Sequence, residues 1–245
     1  MALRLNANLA EPHASLGYAA TRYDWDWEDA DKEFRIAIGL DPKYATAHQW
    51  YGEYLTAMGR FEEAIAECKR AVEQEPFSLI INMVMATPYL YAKRFDEALA
   101  LDRKAVELES NFPYYHYDLG WDYLGKQMYE EALKEYQKAL DLSGRKTPMY
   151  LAGFAYASAL AGRKGEAVRA LADLKVLSKT RHVSSGDIAF VHIGLGEPDQ
   201  ALQWLEQAYN KRDEKLIMLK VDWVFDPLRS DPRFQALLDK MKFPK

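Results

Sequence analysis

Apolar residues recur along most of the chain with the period of an α-helix. Between Phe61 and Val72 they form the single stripe of an amphipathic helix, with charged residues on the opposite face. A second helical pattern, Ala45–Gly59, precedes this one, and a terminal glycine is typical of a helix C-terminus. Pro42 and Pro76 stand at the junctions, where a proline cannot continue a helix. These signals predict a pair of helices bounded by prolines.

This helical pair repeats along the chain. An alanine recurs every 34 or 35 residues, at Ala30, Ala64, Ala98, Ala132, Ala167 and Ala201. An aromatic residue stands three positions earlier in four copies, and a second alanine stands seven positions later in five; the fifth copy has Leu174 there. Self-similarity at one period indicates stacked repeats, each burying its apolar stripe against its neighbours.

The spacing within one copy resembles a known repeat. In the second copy the relevant residues are His48, Tyr51, Gly52, Leu55, Ala64, Cys68, Ala71 and Pro76. This pattern resembles the tetratricopeptide repeat (TPR), a helical hairpin of 34 residues, and the resemblance covers about Leu3 to Asp213. It implies an all-α, right-handed solenoid of about six TPR hairpins with a C-terminal capping helix. The two ends of the chain are also similar to C-terminal TPR regions of bacterial regulatory proteins.

The register divides the chain into three parts. Residues 1–9 are predicted to be the tail of a truncated preceding repeat and a linker. The solenoid is expected over residues 10–215, with repeats at about 10–44, 45–78, 79–112, 113–147, 148–181 and 182–215. Residues 216–245 form a predicted capping segment, whose last helix begins at Pro232 because Asp231-Pro232 is a helix-start signal.

The composition argues against several classes of function. The net charge of −5 argues against a nucleic-acid binder, which needs a basic surface. Cys68 is the single cysteine, so neither an internal disulfide nor a cysteine-based zinc site can form. No apolar run reaches the roughly 18 residues of a membrane span, and the N-terminus lacks a signal-peptide core. We therefore expect a cytoplasmic protein with no membrane partner.

The sequence gives little indication of a catalytic or metal site. His13, His48 and His116 occupy the same place in their repeats, where a large packing residue is usual. Equivalent places in stacked repeats are too far apart to share one metal ion. No metalloprotease run, phosphate loop or nucleophile elbow occurs. The sequence predicts a protein that is not an enzyme and has no cofactor or metal.

The resemblance implies that the first helix of each hairpin lines a concave groove. The predicted partner-binding residues on this stripe are Gln49, Trp50, Glu53, Ile80, Met83, Val84, Thr87, Tyr91, Tyr114, Tyr117, Asp118, Trp121, Tyr156 and Phe190. Aromatic residues and methionine are enriched at protein interfaces. We therefore predict a scaffold that binds a peptide or protein segment in an aromatic, apolar groove, with Gln49, Glu53, Asp118 and Asp187 on its rim. The alternative is a sensory or regulatory domain of a larger bacterial transcription regulator or signalling protein.

Three local features depart from the regular pattern. Pro88 lies inside the third copy's first helix and is predicted to bend or end it. Trp25 stands where Gly59 and Gly162 stand in other copies, and the first turn holds one extra residue. The stretch from Arg145 to Arg181 contains eight basic residues and only two acidic ones. This basic stretch suggests electrostatic steering of an acidic partner surface.

Overall fold

The computed structural model describes residues 8–145 and 147–244. Within these ranges the chain forms fourteen α-helices and no strand, which confirms the predicted all-α class. The first seven helices are α1 (Ala10–Ala19), α2 (Trp27–Leu40), α3 (Ala45–Met58), α4 (Phe61–Gln74), α5 (Leu79–Met83), α6 (Thr87–Tyr91) and α7 (Phe95–Leu108). The others are α8 (Pro113–Gly125), α9 (Tyr129–Leu142), α10 (Pro148–Leu160), α11 (Lys164–Leu177), α12 (Ser185–Leu195), α13 (Pro198–Asn210) and α14 (Pro232–Met241).

The chain divides into two compact units. Unit 1 comprises Met1–Ala92, Ile217–Val221 and Leu238–Lys245, and unit 2 comprises Lys93–Leu216 and Asp222–Leu237. In unit 1, α1 packs on α2 and α3 on α4, while the short helices α5 and α6 lie against the α3–α4 hairpin. In unit 2, α8 packs between α7 and α9, and the hairpins α10–α11 and α12–α13 follow. The predicted tail at residues 1–9 lies almost wholly outside the described residues.

In three hairpins a glycine of the first helix lies in close contact with a side chain of the second helix. A methyl group on Gly52 of α3 would lie 2.6 Å from Cys68 Sγ of α4. Gly17 faces Phe34 in the same way in the first hairpin, and Gly120 faces Tyr136 in the fourth. Only a residue without a side chain lets the two helices approach this closely. The contact explains why a glycine recurs in the first helix of these repeats.

The first helix of the third copy is broken at Pro88. The segment forms α5 and α6 with an irregular stretch, 84–86, between them. Pro88 has no N–H to donate to the carbonyl oxygen of Val84, which accepts instead from the Thr87 N–H at 3.3 Å. Pro88 was predicted to bend or end the helix; the helix is interrupted at residues 84–86, and Pro88 lies in the first turn of α6.

The first hairpin accommodates its extra residue as a π-helical turn. Residues Ala20–Asp24 continue α1 as a π-helix, and the Trp25 N–H bonds to the carbonyl oxygen of Ala20. One inserted residue is what converts an α-helical turn into a π turn. Asp26 then caps α2, because its side chain accepts the N–H of Asp29 at 3.1 Å.

The capping segment contains two short 3-10 helices, Glu214–Met218 and Trp223–Leu228, before α14. The last helix begins at Pro232, as the sequence predicted. Within unit 1, the indole N–H of Trp27 donates to the carbonyl oxygen of Met241 at 2.8 Å, and its ring stacks on Phe243. Trp27 is therefore buried against the C-terminal segment of the chain.

Candidate protein-binding surface

The predicted groove residues differ widely in exposure. Six are buried: Gln49, Val84, Tyr117, Trp121, Tyr156 and Phe190. Seven are half-buried: Trp50, Glu53, Met83, Thr87, Tyr91, Tyr114 and Asp118. Ile80 alone among the fourteen is exposed, at 61 %. The four buried aromatic residues of this set, Tyr117, Trp121, Tyr156 and Phe190, all belong to unit 2.

In unit 1 the first-helix face carries an aromatic pair and a polar set. The rings of Tyr18 and Trp50 lie 4.6 Å apart, on α1 and α3. Arg22 pairs with Glu53, and the Gln49 side-chain amide donates to the same carboxylate at 3.2 Å. The cation of Arg22 also lies over the Tyr18 ring at 5.3 Å. These contacts hold the side chains in place and leave the ring of Trp50 half-buried.

The third copy adds an apolar edge to unit 1. Phe77 is 95 % exposed, Leu79 is exposed, and Ile80 follows directly, so three large apolar side chains lie within four residues. Ser78 caps α5 by accepting the N–H of Ile81, which fixes this short helix. Clustered exposed apolar side chains mark interaction sites more often than single ones do. We call Tyr18, Gln49, Trp50, Glu53, Ile80 and Met83 the unit 1 face.

In unit 2 the corresponding face is filled by the chain itself. The buried aromatics of α8, α10 and α12 are Tyr117, Trp121, Tyr156 and Phe190. Trp223 packs edge-on against Trp121 with ring centroids 6.0 Å apart, and Phe225 packs on Phe190 at 5.3 Å. Both come from the 3-10 helix Trp223–Leu228. Sequence reasoning missed these two residues because they lie outside the repeat pattern.

A lysine of the preceding 3-10 helix, Glu214–Met218, occupies the next part of this face. The ammonium of Lys215 lies 3.2 Å from a carboxylate oxygen of Asp187 and about 6 Å from the rings of Tyr117 and Phe190. Such a site between a carboxylate and aromatic faces stabilises a cation. Burial raises the pKa of Asp187, and the ammonium of Lys215 opposes this. Asp187 was predicted on the rim, but it is buried and paired.

Three histidines are buried within their repeats, as their position predicted, and each also pairs with a carboxylate, which the sequence did not reveal. His48 Nδ1 lies 2.5 Å from a carboxylate oxygen of Glu67 in the other helix of its hairpin, and Nε2 lies 2.9 Å from the carbonyl oxygen of Pro42. The carboxylate pairing recurs between His13 and Glu33 and between His116 and Glu135. Burial lowers the pKa of His48, but the bonds to Glu67 and Pro42 outweigh it and raise the pKa. Each of these three histidines joins the two helices of one repeat.

The described residues show no arrangement typical of a metal site or a membrane span. No three of their His, Cys, Asp or Glu side chains are placed to hold a metal ion. None of their helices combines the length and the apolar character needed to cross a membrane. In the basic stretch, Arg163 pairs with Glu130 at 2.5 Å and approaches Glu166, while Lys146 lies outside the described residues. The steering role of this stretch stays a prediction.

Comparison with known proteins agrees with the repeat pattern. Residues 25–78 and 113–145 each match a family model described as tetratricopeptide repeat. No curated protein matches the sequence significantly. Among solved structures, PilF of Pseudomonas aeruginosa is similar with a TM-score of 0.57 and 16 % identity, covering 94 % of this chain and 97 % of PilF.

Two further structures share the fold at the same 16 % identity. PilW, a type IV pilus biogenesis factor, has a TM-score of 0.62, with 94 % of this chain and 98 % of PilW covered. MamA from Desulfovibrio magneticus RS-1 has a TM-score of 0.53, with 70 % of this chain and 96 % of MamA covered. At this identity the likeness concerns the fold. The repeat spacing, the glycine-centred hairpins and the two family matches show that the chain carries tetratricopeptide repeats in an all-α solenoid fold.

Proposed function

We propose that the chain is a non-enzymatic scaffold that binds an apolar segment of a partner protein on the unit 1 face. Helical repeat proteins use their extended inner surfaces for binding, and the family match supports this general role. A shared fold hosts many functions, so the argument for a site must come from its residues.

The exposure of Ile80 carries the proposal. Its side chain is 61 % exposed on the stripe that the repeat register assigns to binding, next to exposed Phe77 and Leu79. Covering one such side chain is worth about 1.5–3 kcal/mol. Met83 and Trp50 occupy neighbouring repeats on the same stripe and stay half-buried. A partner segment with two or three apolar side chains would complete the burial of all three.

The polar residues of the unit 1 face would orient the bound partner segment. Glu53 is already paired with Arg22 and accepts from Gln49, so the face has no unpaired charge in its centre. Burying an unpaired charge would cost several kcal/mol. This cost is about as large as the contribution of one buried apolar side chain. We therefore expect the partner segment to be uncharged where it crosses Glu53. The unit 2 residues of the predicted groove then serve as the platform for the chain's own Trp223 and Phe225.

The test compares two substitutions that add the same charge at exposed apolar positions. Affinity capture from the source cells first supplies a candidate partner, which is purified and titrated against the full chain. Ile80→Glu should weaken binding at least about tenfold, because it places a charge in the apolar contact. Leu108→Glu, at a 78 % exposed position on α7, should bind like the wild type.

Circular dichroism establishes that both variants keep their helices. Equal affinities of Ile80→Glu and the wild type would exclude the unit 1 face. Equal losses in both variants would also count against it, because they would indicate a general charge effect.

A further inference from the structure

The outer face of α11 in unit 2 carries a line of exposed apolar side chains. Val168 and Val176 are 53 % and 62 % exposed, and Ala172 between them is exposed as well. Residues four apart lie on one side of a helix, so the three side chains form a continuous stripe about 12 Å long. The opposite side of the helix, which includes Ala167 and Leu174, is buried in the repeat core. The stripe therefore faces outward with no part of unit 2 over it.

Unpaired cations border this stripe. Two lie on one side of it, one lies on the other side, and two follow the end of the helix: Lys164, Lys175, Arg169, Lys179 and Arg181. None of the five forms an ion pair with another described residue, whereas Arg163 just before the helix is paired with Glu130. Asp173, the exposed carboxylate of this helix, lies at the margin of the face. The centre of the face is therefore apolar and its border is positive.

The stability of the helix does not explain this combination. A cation in the first turn, such as Lys164, opposes the helix dipole, and valine is a weaker helix former than lysine or glutamate. The neighbouring second helices of unit 2 have different outer faces. The exposed residues of α9 include Glu130 and Lys134, those of α13 include Asp199 and Glu206, and neither helix contains a valine. The outer face of α11 thus differs from those of its neighbours in both charge and apolar character.

The chemistry of this face fits an acidic helix. Ala172 is small and lies between two valines, so a second helix can approach closely and place a side chain in the gap. The five unpaired cations favour carboxylates on the partner, because complementary charge attracts the right partner and repels cationic ones. A membrane surface fits less well, since helices that bind there insert tryptophan, phenylalanine or leucine, whereas this face offers valine and alanine. The net charge of −5 also opposes binding of the chain to anionic lipids.

We propose that this face of α11 binds an acidic amphipathic helix of a partner protein. The apolar side of the partner helix lies on the valines, and its carboxylates pair with the flanking cations. The residues of this site, which we call the α11 face, are Lys164, Val168, Arg169, Ala172, Lys175 and Val176. The inference goes beyond the binding function proposed for the unit 1 face, because it concerns a separate site in unit 2. It also gives the basic stretch a contact surface in place of steering alone.

The experiment titrates a fluorescent synthetic peptide with the full chain and follows its fluorescence anisotropy. The peptide is a helix with leucines along one side and glutamates on both flanks. At about 0.1 M salt, where charges more than about 10 Å apart are largely screened, it should bind the wild type saturably. The double variant Lys164→Glu/Lys175→Glu should bind at least about tenfold more weakly, because it reverses one border of the stripe. The matched control Lys134→Glu/Lys138→Glu makes the same charge change at exposed positions of α9 and should stay within about threefold of the wild type.

A second variant tests the apolar stripe by itself. Val168→Ser/Val176→Ser keeps every charge and should weaken peptide binding at least about fivefold, because the valines no longer bury apolar surface. Circular dichroism establishes that the helices of each variant remain. Unchanged affinity of the serine variant would show that charge attraction alone holds the peptide, which would overturn the proposal.

Two further measurements separate this site from the alternatives. Ile80→Glu should bind the peptide like the wild type, whereas a loss there would place the peptide on the unit 1 face and overturn the assignment to α11. Vesicles of phosphatidylglycerol should not sediment the chain. Sedimentation of the wild type but not of Lys164→Glu/Lys175→Glu would assign the α11 face to a membrane and overturn the proposal, as would the absence of saturable binding of the peptide to the wild type.

Discussion

At the scale of single residues, the turn inside every hairpin depends on one left-handed residue. These residues are Trp25, Gly59, Lys93, Gln127, Gly162 and Gly196, each with a positive φ. In the regular turns the next N–H reaches back five residues, as from Arg60 to the carbonyl oxygen of Leu55 at 2.9 Å. This bond closes a helix end that would otherwise leave a carbonyl group unpaired. The predicted equivalence of Trp25 with Gly59 and Gly162 is confirmed by its backbone.

Gln127 offers a direct test of this turn. Its φ of 60° is strained for a residue with a side chain, and the side chain itself is exposed. Gln127→Gly should stabilise the protein by up to about 1 kcal/mol, because relief of strain exceeds the added freedom of the unfolded chain. Urea unfolding measures the change. Gln127→Ala keeps the strain and should leave stability almost unchanged; a stabilisation equal to that of glycine would disprove the explanation.

At the scale of helices, close packing decides which residues a repeat can carry. The ring of Tyr136 lies between two glycines of unit 2, Gly120 on α8 and Gly153 on α10. A methyl group on Gly153 would come within 2.6 Å of that ring. Three helices therefore meet at one aromatic side chain, and neither neighbouring helix has room for a Cβ atom there.

Gly153→Ala should consequently destabilise the protein by about 1–3 kcal/mol, because the buried ring must move. Gly39→Ala is the matched control, since a methyl group there meets no atom within 4 Å. That substitution should stabilise α2 by roughly 0.5–1 kcal/mol through helix propensity. Thermal unfolding of both variants provides the comparison. Equal effects of the two substitutions would show that crowding at Tyr136 is unimportant.

At the scale of the whole chain, the C-terminal segment is part of the repeat core. Phe225 is completely buried and packs between Phe190 and Phe234 in unit 2. The segment thus covers an apolar surface that the repeats of this unit leave open. End repeats of solenoids need such a cover because they lack a neighbour on one side.

Phe225→Ala should lower the free energy of unfolding by about 3–5 kcal/mol, as expected for the loss of a buried ring. Phe77→Ala makes the same chemical change at a side chain that is 95 % exposed, and it should cost almost nothing. Denaturant unfolding followed by circular dichroism measures both. A small loss of unfolding free energy in Phe225→Ala would mean that the segment contributes little to the core of the repeats.

The sequence by itself determined the features that depend on near neighbours. The 34-residue period predicted the helical hairpins, and Pro88 predicted that a helix bends or ends. The extra residue of the first turn was visible in the spacing as well. Each follows from hydrogen bonds or side-chain contacts within one hairpin, which a regular pattern of residue types encodes.

Only the tertiary structure decided which aromatic positions stay open. Trp121 and Phe190 match the groove pattern as well as Trp50 does, but Trp223 and Phe225 cover them. Contacts between a repeat and a non-repeating segment leave no period in the sequence. They depend on how the chain folds back on itself, and the local pattern of residues does not specify that.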